Sequence, residues 1–323
     1  MQLGRRLARQ LAEAGAGAAF DPQADEIIWP RGRVKRYRAP REERETDKLS
    51  LNWYFSPSRW DGAAAEILAQ VRRLCPEALP RRFGLFEPLQ ERYEGPIEFV
   101  DFCRAEGWDH VFWKSSPPFF GGSVFGPDRP GRKVGDGPQV GLFTVDLDGA
   151  ALEDQAWRDT VVALFRSASA SAGAFYACAT LESGWTATSA NTLWMTAAAM
   201  SQRVLTPYTE WLGLPPFSPW LSWYGQEYLP LVLDGLISMG EDLSQDPPSL
   251  LQRLSGRGRQ PELKPTLVRL DAGVLMRLGQ LPRHHSELPT IPLKATLTYE
   301  LPDVGPGQTR PIEAAATEFP KLR

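Results

Sequence analysis

The feature that most restricts the fold is a strand–helix–strand order that occurs twice along the chain. The predicted strands and helices of the two units, in chain order, are residues 49–55, 61–74 and 110–114, then 140–147, 152–172 and 174–182. A helix between two strands buries its apolar face on the sheet that those strands join. The sequence therefore predicts an α/β or α+β fold with two βα units that share a mixed sheet flanked by helices.

The helix at 152–172 has the clearest pattern in the chain. Its apolar residues recur at i, i+4, i+7, i+8 and i+11, which is the spacing of one helical face: Trp157, Val161, Leu164, Phe165 and Ala168. Gly173 follows as a C-terminal stop signal. Outside the two units, the pattern predicts helices at 191–204 and 228–239 and a hairpin at 267–278.

The length of 323 residues allows a buried core without disulfides or metals. The 42% hydrophobic and 23% charged content excludes a disordered chain. We divide the sequence into an N-terminal helix and charged arm at 1–48, an α/β body at 49–301 and a C-terminal tail at 302–323.

Charge is distributed unevenly between the arm and the body. Residues 1–48 carry 11 basic and 8 acidic residues, so the arm is net +3 and the remainder of a chain of net charge −3 is net −6. The arm contains a basic cluster: Arg31, Arg33, Lys35, Arg36 and Arg38. We interpret the arm as a solvated linker or as a segment lying on the acidic body. The alternative is an assembly or nucleic-acid-associated factor, although a nucleic-acid partner is disfavoured by the overall charge.

Cysteine usage and hydropathy indicate the compartment. The three cysteines, Cys75, Cys103 and Cys178, do not form a disulfide framework or a metal-binding spacing. No stretch reaches 18 consecutive apolar residues, so no spanning helix is expected. These observations predict a cytoplasmic protein with reduced thiols, without a membrane contact and without a cofactor.

Catalytic chemistry has few candidates in this sequence. Asp146 and Asp148 end a predicted strand on one face, and His110 precedes another strand. Together they form the alternative hypothesis of an enzyme with a carboxylate-based site. His284 and His285 are adjacent in a loop, where neighbouring side chains diverge and chelate one metal poorly. No metal-ligand motif is present in the sequence.

Aromatic and acidic residues in connecting segments are the strongest functional signal. Trp and Tyr supply large, rigid contact areas and are enriched at binding hot spots. The candidate partner-binding residues are Glu182, Trp185, Trp220, Trp223, Tyr224 and Glu227. The structural alternative for each aromatic residue is that it holds an irregular loop against the core.

Several of these segments together resemble the bacterial immunity proteins of polymorphic-toxin and type VI secretion systems. The resemblance spans about residues 50–300 and includes, in order, segments 52–55, 75–84, 111–114, the Trp157 helix, 174–177, 220–228 and 273–278. Within it, Trp-Leu-Ser-Trp-Tyr-Gly at 220–225 is similar to an aromatic Trp-Leu-x-x-Tyr-Gly segment after the second βα unit of that family.

The resemblance implies a non-enzymatic, cytoplasmic binding protein that neutralises a partner toxin by covering its active site. The partner is then a protein, and a homo-oligomer is compatible with the sequence. A body of net charge −6 would also attract a basic toxin, because complementary fields raise association rates.

Overall fold

The computed structural model describes residues 19–21, 26–29, 37, 42–127, 138–196, 211, 213–215, 217–238, 265–289 and 293. Two short strands, β1 (Ala19–Asp21) and β2 (Glu26–Trp29), form a separate antiparallel pair. The large sheet comprises β3 (Arg44–Phe55), β4 (Arg82–Gly84), β5 (Glu91–Arg92), β6 (Val111–Lys114), β7 (Phe119–Phe125), β8 (Gly141–Asp148), β9 (Tyr176–Ala187), β10 (Leu193–Met195), β11 (Leu221–Gly225), β12 (Pro265–Leu270) and β13 (Gly273–Leu278). The helices are α1 (Pro57–Leu74), α2 (Pro96–Ala105), α3 (Gln155–Ala172) and α4 (Leu229–Ser238).

The two predicted units share this sheet. Its strand order is β12-β13-β11-β9-β3-β8-β7-β6-β4-β5, and β10 pairs with β9 outside that path. Strand β3 lies between β8 and β9 and is antiparallel to both, so β8 and β9 run parallel to each other. Helix α3 therefore crosses β3 to connect the two strands that flank it. The predicted α+β class with helices on one shared sheet is confirmed, and its described strand neighbours are antiparallel.

Helices α1 and α3 cover one face of the sheet because alternate residues of the central strands are apolar. On β3 the residues of this face are Leu49, Leu51, Trp53 and Phe55, all without exposed area. The Trp53 indole packs on Phe165 of α3 with 5.8 Å between ring centroids. Its Nε1–H donates to Ser169 Oγ at 3.0 Å, so the buried indole polar group is satisfied.

A second aromatic cluster packs on the opposite face, at the end of the sheet near α4. Tyr54, Tyr176 and Tyr224 contribute rings from three adjacent strands. Trp211 stacks edge-on to Tyr54 at 4.8 Å, and its indole N–H donates to the hydroxyl of Tyr228. This cluster covers one end of that face and leaves its other end to polar side chains.

Two element boundaries differ from the expectations. Strand β3 begins at Arg44, inside the segment interpreted as an arm, because its pairing with β9 continues to Arg44 opposite Ala187. The helix expected from residue 191 is instead the hairpin strand β10 as far as it is described. Asn191 adopts a left-handed conformation with φ 58° and closes this hairpin, and its amide donates to Phe119 O at 2.9 Å. Residues 197–204 of the expected helix lie outside the described residues.

The predicted division into arm, body and tail stays a prediction. Most of the arm and all of residues 302–323 lie outside the described residues. The predicted hairpin at 267–278 is confirmed as β12 and β13, and the helix predicted at 228–239 is confirmed as α4.

Candidate functional site

The central strands present polar side chains on the face opposite α1 and α3. Residues between the buried Leu49 and Leu51 of β3, and between Val145 and Leu147 of β8, must point to this second face. We name this surface the polar strip, and it consists of Thr46, Lys48, Ser50, Asp146, Asp148, Glu182 and Trp185. The sheet thereby brings together carboxylates, a lysine and a tryptophan that are far apart in sequence.

Lys48 is the centre of the polar strip. Its ammonium lies 3.1 Å from a carboxylate oxygen of Glu182 and 3.7 Å from one of Asp146. The same ammonium lies 4.1 Å from the ring centroid of Trp185, within cation–π range. The Lys48 side chain is only 10% exposed, whereas that of Glu182 is 41% exposed. Two carboxylates share one ammonium, so this part of the strip carries a net charge of −1.

Ser50 supports this arrangement from the next position on the same face. Its hydroxyl donates to Asp146 Oδ1 at 2.5 Å. Asp146 therefore accepts from one neutral donor and faces one cation, which orients its carboxylate. Glu182 has a larger exposed fraction than Asp146, so it is the more accessible of these two acidic groups.

Asp148 is the buried end of the polar strip. Its carboxylate pairs with Arg44, accepts from the hydroxyl of Tyr37, and accepts from Thr46 Oγ1 at 2.8 Å. A buried carboxylate is tolerated when it is paired and hydrogen-bonded in this way. Burial and the neighbouring Asp148 carboxylate raise the pKa of Tyr37, so its hydroxyl stays a donor. The hydrogen bond to Asp148 thus holds Tyr37, a residue of the predicted arm, against the sheet.

A β-bulge in β9 determines where Trp185 points. Thr46 pairs with Trp185 and Lys48 pairs with Glu182, so three steps on β9 match two steps on β3. Without the bulge, residues three apart on a strand would face opposite sides of the sheet. Gly184 sits in the bulge with φ 81°, a conformation that glycine adopts without a steric penalty. Glu182 and Trp185 therefore occupy the same face.

Three of the predicted partner-binding residues are core residues, which corrects their expected role as surface anchors. Trp220 and Trp223 have no exposed area and Tyr224 is 3% exposed. The Trp223 indole donates to Ala174 O at 3.0 Å, between α3 and β9. Trp220 and Trp223 belong to the core on the helix-covered face of the sheet, and Tyr224 belongs to the aromatic cluster on the opposite face. Because all three are buried, they offer no contact area to a partner. Their position in a Pro-rich segment did not reveal that this segment is a central strand.

Glu227 is partly exposed but far from the polar strip. It follows β11, where Tyr224 pairs with Tyr176, the first residue of β9. Six residues of extended strand separate Tyr176 from Glu182, which is about 20 Å. Of the predicted partner-binding residues, the structure brings together Glu182 and Trp185.

The structure does not assemble the alternative catalytic site. Asp146 and Asp148 lie in the polar strip, but His110 precedes β6 and stacks on Phe125 with 4.2 Å between ring centroids. The register places His110 about four residues from Asp146 along the strands, roughly 13 Å, and two strand spacings away, roughly 10 Å. The hypothesis of a catalytic site formed by Asp146, Asp148 and His110 is therefore wrong, because His110 lies too far from the two carboxylates.

The part of the chain that the structure describes contains neither a cluster of metal ligands nor a reactive thiol. No group of three or more His, Cys, Asp or Glu side chains there is placed to hold a metal ion. All three cysteines are buried and free. Burial raises the pKa of Cys178 and of Cys103 to about 12, which keeps both in the unreactive thiol form.

Sequence reasoning missed Lys48 and Arg44 because it assigned both to the charged arm. The basic cluster of that arm, at Arg31, Arg33, Lys35, Arg36 and Arg38, lies outside the described residues. One signal for Lys48 was available, since Thr46, Lys48 and Ser50 alternate with the buried Leu49 and Leu51 at the period of a strand.

No protein-family model matches this chain, and no curated protein matches it. Among solved structures, the chain is similar to a T6SS protein of Pseudomonas aeruginosa. The sequences are 14% identical, the match covers 73% of this chain and 69% of that chain, and the TM-score is 0.41. Within the described residues, we find no helix with the length and apolar character needed to cross a bilayer.

Proposed function

We propose that this chain is a non-enzymatic protein-binding protein of the immunity type, which neutralises a partner toxin by covering its active site. The observation that carries the proposal is the pair Glu182 and Trp185, held partly exposed on one face over the buried ammonium of Lys48. Tryptophan is enriched at binding hot spots, and a partly exposed carboxylate beside it can pair with a basic group of the partner.

The charge of the polar strip supports a basic partner surface. Lys48 is shared between Asp146 and Glu182, so an arriving cation meets a carboxylate that is incompletely neutralised. The chain beyond residue 48 carries a net charge of −6, which gives a field of the same sign. Such fields steer oppositely charged partners and raise the association rate.

The rigidity of the polar strip supports binding rather than turnover. Trp185 is held by the cation–π contact with Lys48 and by the bulge at Gly184. Side chains that are already ordered lose little conformational entropy on binding, so more of the contact energy appears as affinity. The sequence resemblance to immunity proteins supplies the class of partner, and a cytoplasmic location belongs to the same proposal.

The test is capture of a toxin from the native host with the tagged chain, followed by binding measurements with that toxin produced as an inactive variant. We expect Trp185→Ala and Glu182→Gln each to weaken the complex more than about tenfold, measured by titration calorimetry. Glu87→Gln is the matched control, because Glu87 is 53% exposed and pairs with Lys114 on another part of the sheet. Unchanged affinity in both strip variants would remove this surface from the proposal.

A further inference from the structure

Among the strands that the structure describes, β10 pairs with β9 alone, on one of its two edges. Its pairing with β9 uses the residues on either side of Leu193 and Met195: Thr188 N–H donates to Thr192 O at 2.9 Å, and Thr196 N–H donates to Gly184 O at 3.1 Å. Hydrogen bonding in an antiparallel pair alternates from residue to residue. The backbone groups of Leu193 and Met195 therefore point away from β9, and no described hydrogen bond reaches them.

Apart from the three-residue length of β10, this edge lacks the features that usually keep strand edges apart. Natural edges carry charged side chains, prolines or bulges that prevent pairing with another chain. The segment from Thr186 to Thr196 contains no charged residue and no proline. Trp194, at the middle of β10, is 66% exposed, one of the largest apolar exposures in the described chain. The outward edge is thus open, uncharged and centred on an exposed indole.

We infer that the occupant of this edge is β10 of a second copy of the chain, paired antiparallel across a twofold axis at Trp194. In this register Leu193 faces Met195 of the partner copy, and each such pair exchanges two backbone hydrogen bonds. Trp194 then faces its own copy in a non-hydrogen-bonded pair, the position where cross-strand side chains approach most closely. Aromatic pairs at such positions stabilise antiparallel sheets.

The symmetry of the outward edge about Trp194 favours a second copy as the occupant, and the neutral composition of the edge permits it. Leu193 and Met195 are the residues that point outward, and they are symmetric about Trp194, so the edge matches itself without a change of register. The chain beyond residue 48 is net −6, so most contacts between two copies would oppose like charges. A twofold axis through the uncharged segment 186–196 avoids that repulsion.

The dimer edge is separate from the polar strip. Trp194 pairs with Thr186, whereas Trp185 pairs with Met195, so the two tryptophans lie on opposite faces of the hairpin. Pairing through β10 extends the sheet sideways and leaves Glu182 and Trp185 accessible. The inference accordingly stands independently of the proposed function.

Sedimentation velocity of the full chain over a wide concentration range tests the inference. We expect a reversible monomer–dimer equilibrium in the unmodified protein. Met195→Pro removes an outward N–H and leaves the bonds to β9 in place, so it weakens the dimer more than about tenfold. Met195→Ala is the matched control, because it shortens the same side chain but keeps the N–H and the dimer.

A second variant guards against a folding defect in the proline variant. Trp194→Lys changes an exposed side chain and places two like charges opposite each other at the axis, so it abolishes the dimer while circular dichroism stays unchanged. A protein that is monomeric at all concentrations overturns the inference. A dimer that survives either Met195→Pro or Trp194→Lys also overturns it, because the contact would then lie elsewhere.

Discussion

At the scale of single residues, close packing depends on glycines beneath tryptophan rings. A Cβ on Gly122 would lie 2.1 Å from Thr144 O and 2.4 Å from the Trp113 ring. Gly141 has the same relation to Trp60, with 2.1 Å between the added Cβ and the ring. Neither backbone oxygen nor a buried indole can move away without disturbing the sheet, so these glycines are required by space.

The first prediction compares two glycines. We expect Gly122→Ala to lower the free energy of unfolding by about 1–3 kcal/mol, because the methyl group meets the Trp113 ring and Thr144 O. Gly62 lies in α1 with no atom within 4 Å of an added Cβ. Gly62→Ala should therefore raise the free energy of unfolding by up to about 1 kcal/mol through helix propensity. Urea titration measures both, and equal effects would contradict the packing explanation.

At the scale of elements, α3 shows how a helix is specified by its two ends and its face. The Asp154 carboxylate accepts from Ala156 N at 2.8 Å and caps the first turn. Gly173 ends the helix in the left-handed conformation, with φ 69°. Trp157, Val161 and Leu164 are buried on the face that the sequence spacing predicted. All of these signals are local, which is why the sequence predicted the end of α3 at residue 172 and its start to within three residues.

The second prediction concerns these caps. Asp154→Ala leaves Ala156 N without its acceptor and should lower the free energy of unfolding by about 1 kcal/mol. Gly173→Ala places a Cβ in a left-handed conformation and should cost roughly 1–2 kcal/mol. The exposed neighbour Glu153 serves as the control, since Glu153→Ala should change stability by less than about 0.5 kcal/mol. Thermal and urea unfolding report these differences, and an Asp154 variant as stable as the control would exclude the cap.

Strand elements were harder to predict than helices. The hairpin β9–β10 closes through Asn191, whose side-chain amide donates to Phe119 O at the start of β7. That contact joins residues 72 positions apart, so no local sequence pattern predicts it. The sequence therefore predicted a helix where tertiary contacts form a turn and a strand.

At the scale of the whole molecule, the segment after β13 docks against the centre of the sheet. His284 forms an isolated bridge with Leu181 of β9. His285 lies 4.0 Å from His284 and 4.9 Å from Phe217 between ring centroids. Partial burial, and secondarily the adjacent His284, lower the pKa of His285 below its usual value of 6.5.

The third prediction follows from the sign of that shift. Since folding disfavours the charged imidazolium, the unfolded chain binds the proton more readily than the folded chain. The free energy of unfolding should thus decrease as the pH falls below about 6.5, and recover above it. His285→Phe keeps a ring beside Phe217 without a titrating group and should flatten this part of the profile. High salt should be used throughout to screen the exposed pair of Arg283 and Glu287. An unchanged slope in the variant would assign the pH dependence to other groups.

Local patterns were sufficient for the fold class, the shared sheet and α3, because periodicity and stop signals depend on near neighbours in the chain. The same patterns identified Glu182 and Trp185, yet they could not separate these residues from Trp220 and Trp223. All four are aromatic or acidic residues in or beside predicted connecting segments, and the sequence around them does not show which elements pack on them. Exposure follows from the order β11-β9-β3-β8, which places Trp223 beneath α3 and Trp185 at the open end.

Strand order and register also brought Lys48 between Asp146 and Glu182. These residues are separated by about 100 and 130 positions in the chain, and they meet because β3 pairs with β8 on one side and β9 on the other. Short-range sequence preferences encode which segments become helix or strand, since those energies come from the backbone and its nearest neighbours. Side-chain neighbourhoods across a sheet come from long-range pairing, and that pairing places the charges, the bulge at Gly184 and the open edge at Trp194.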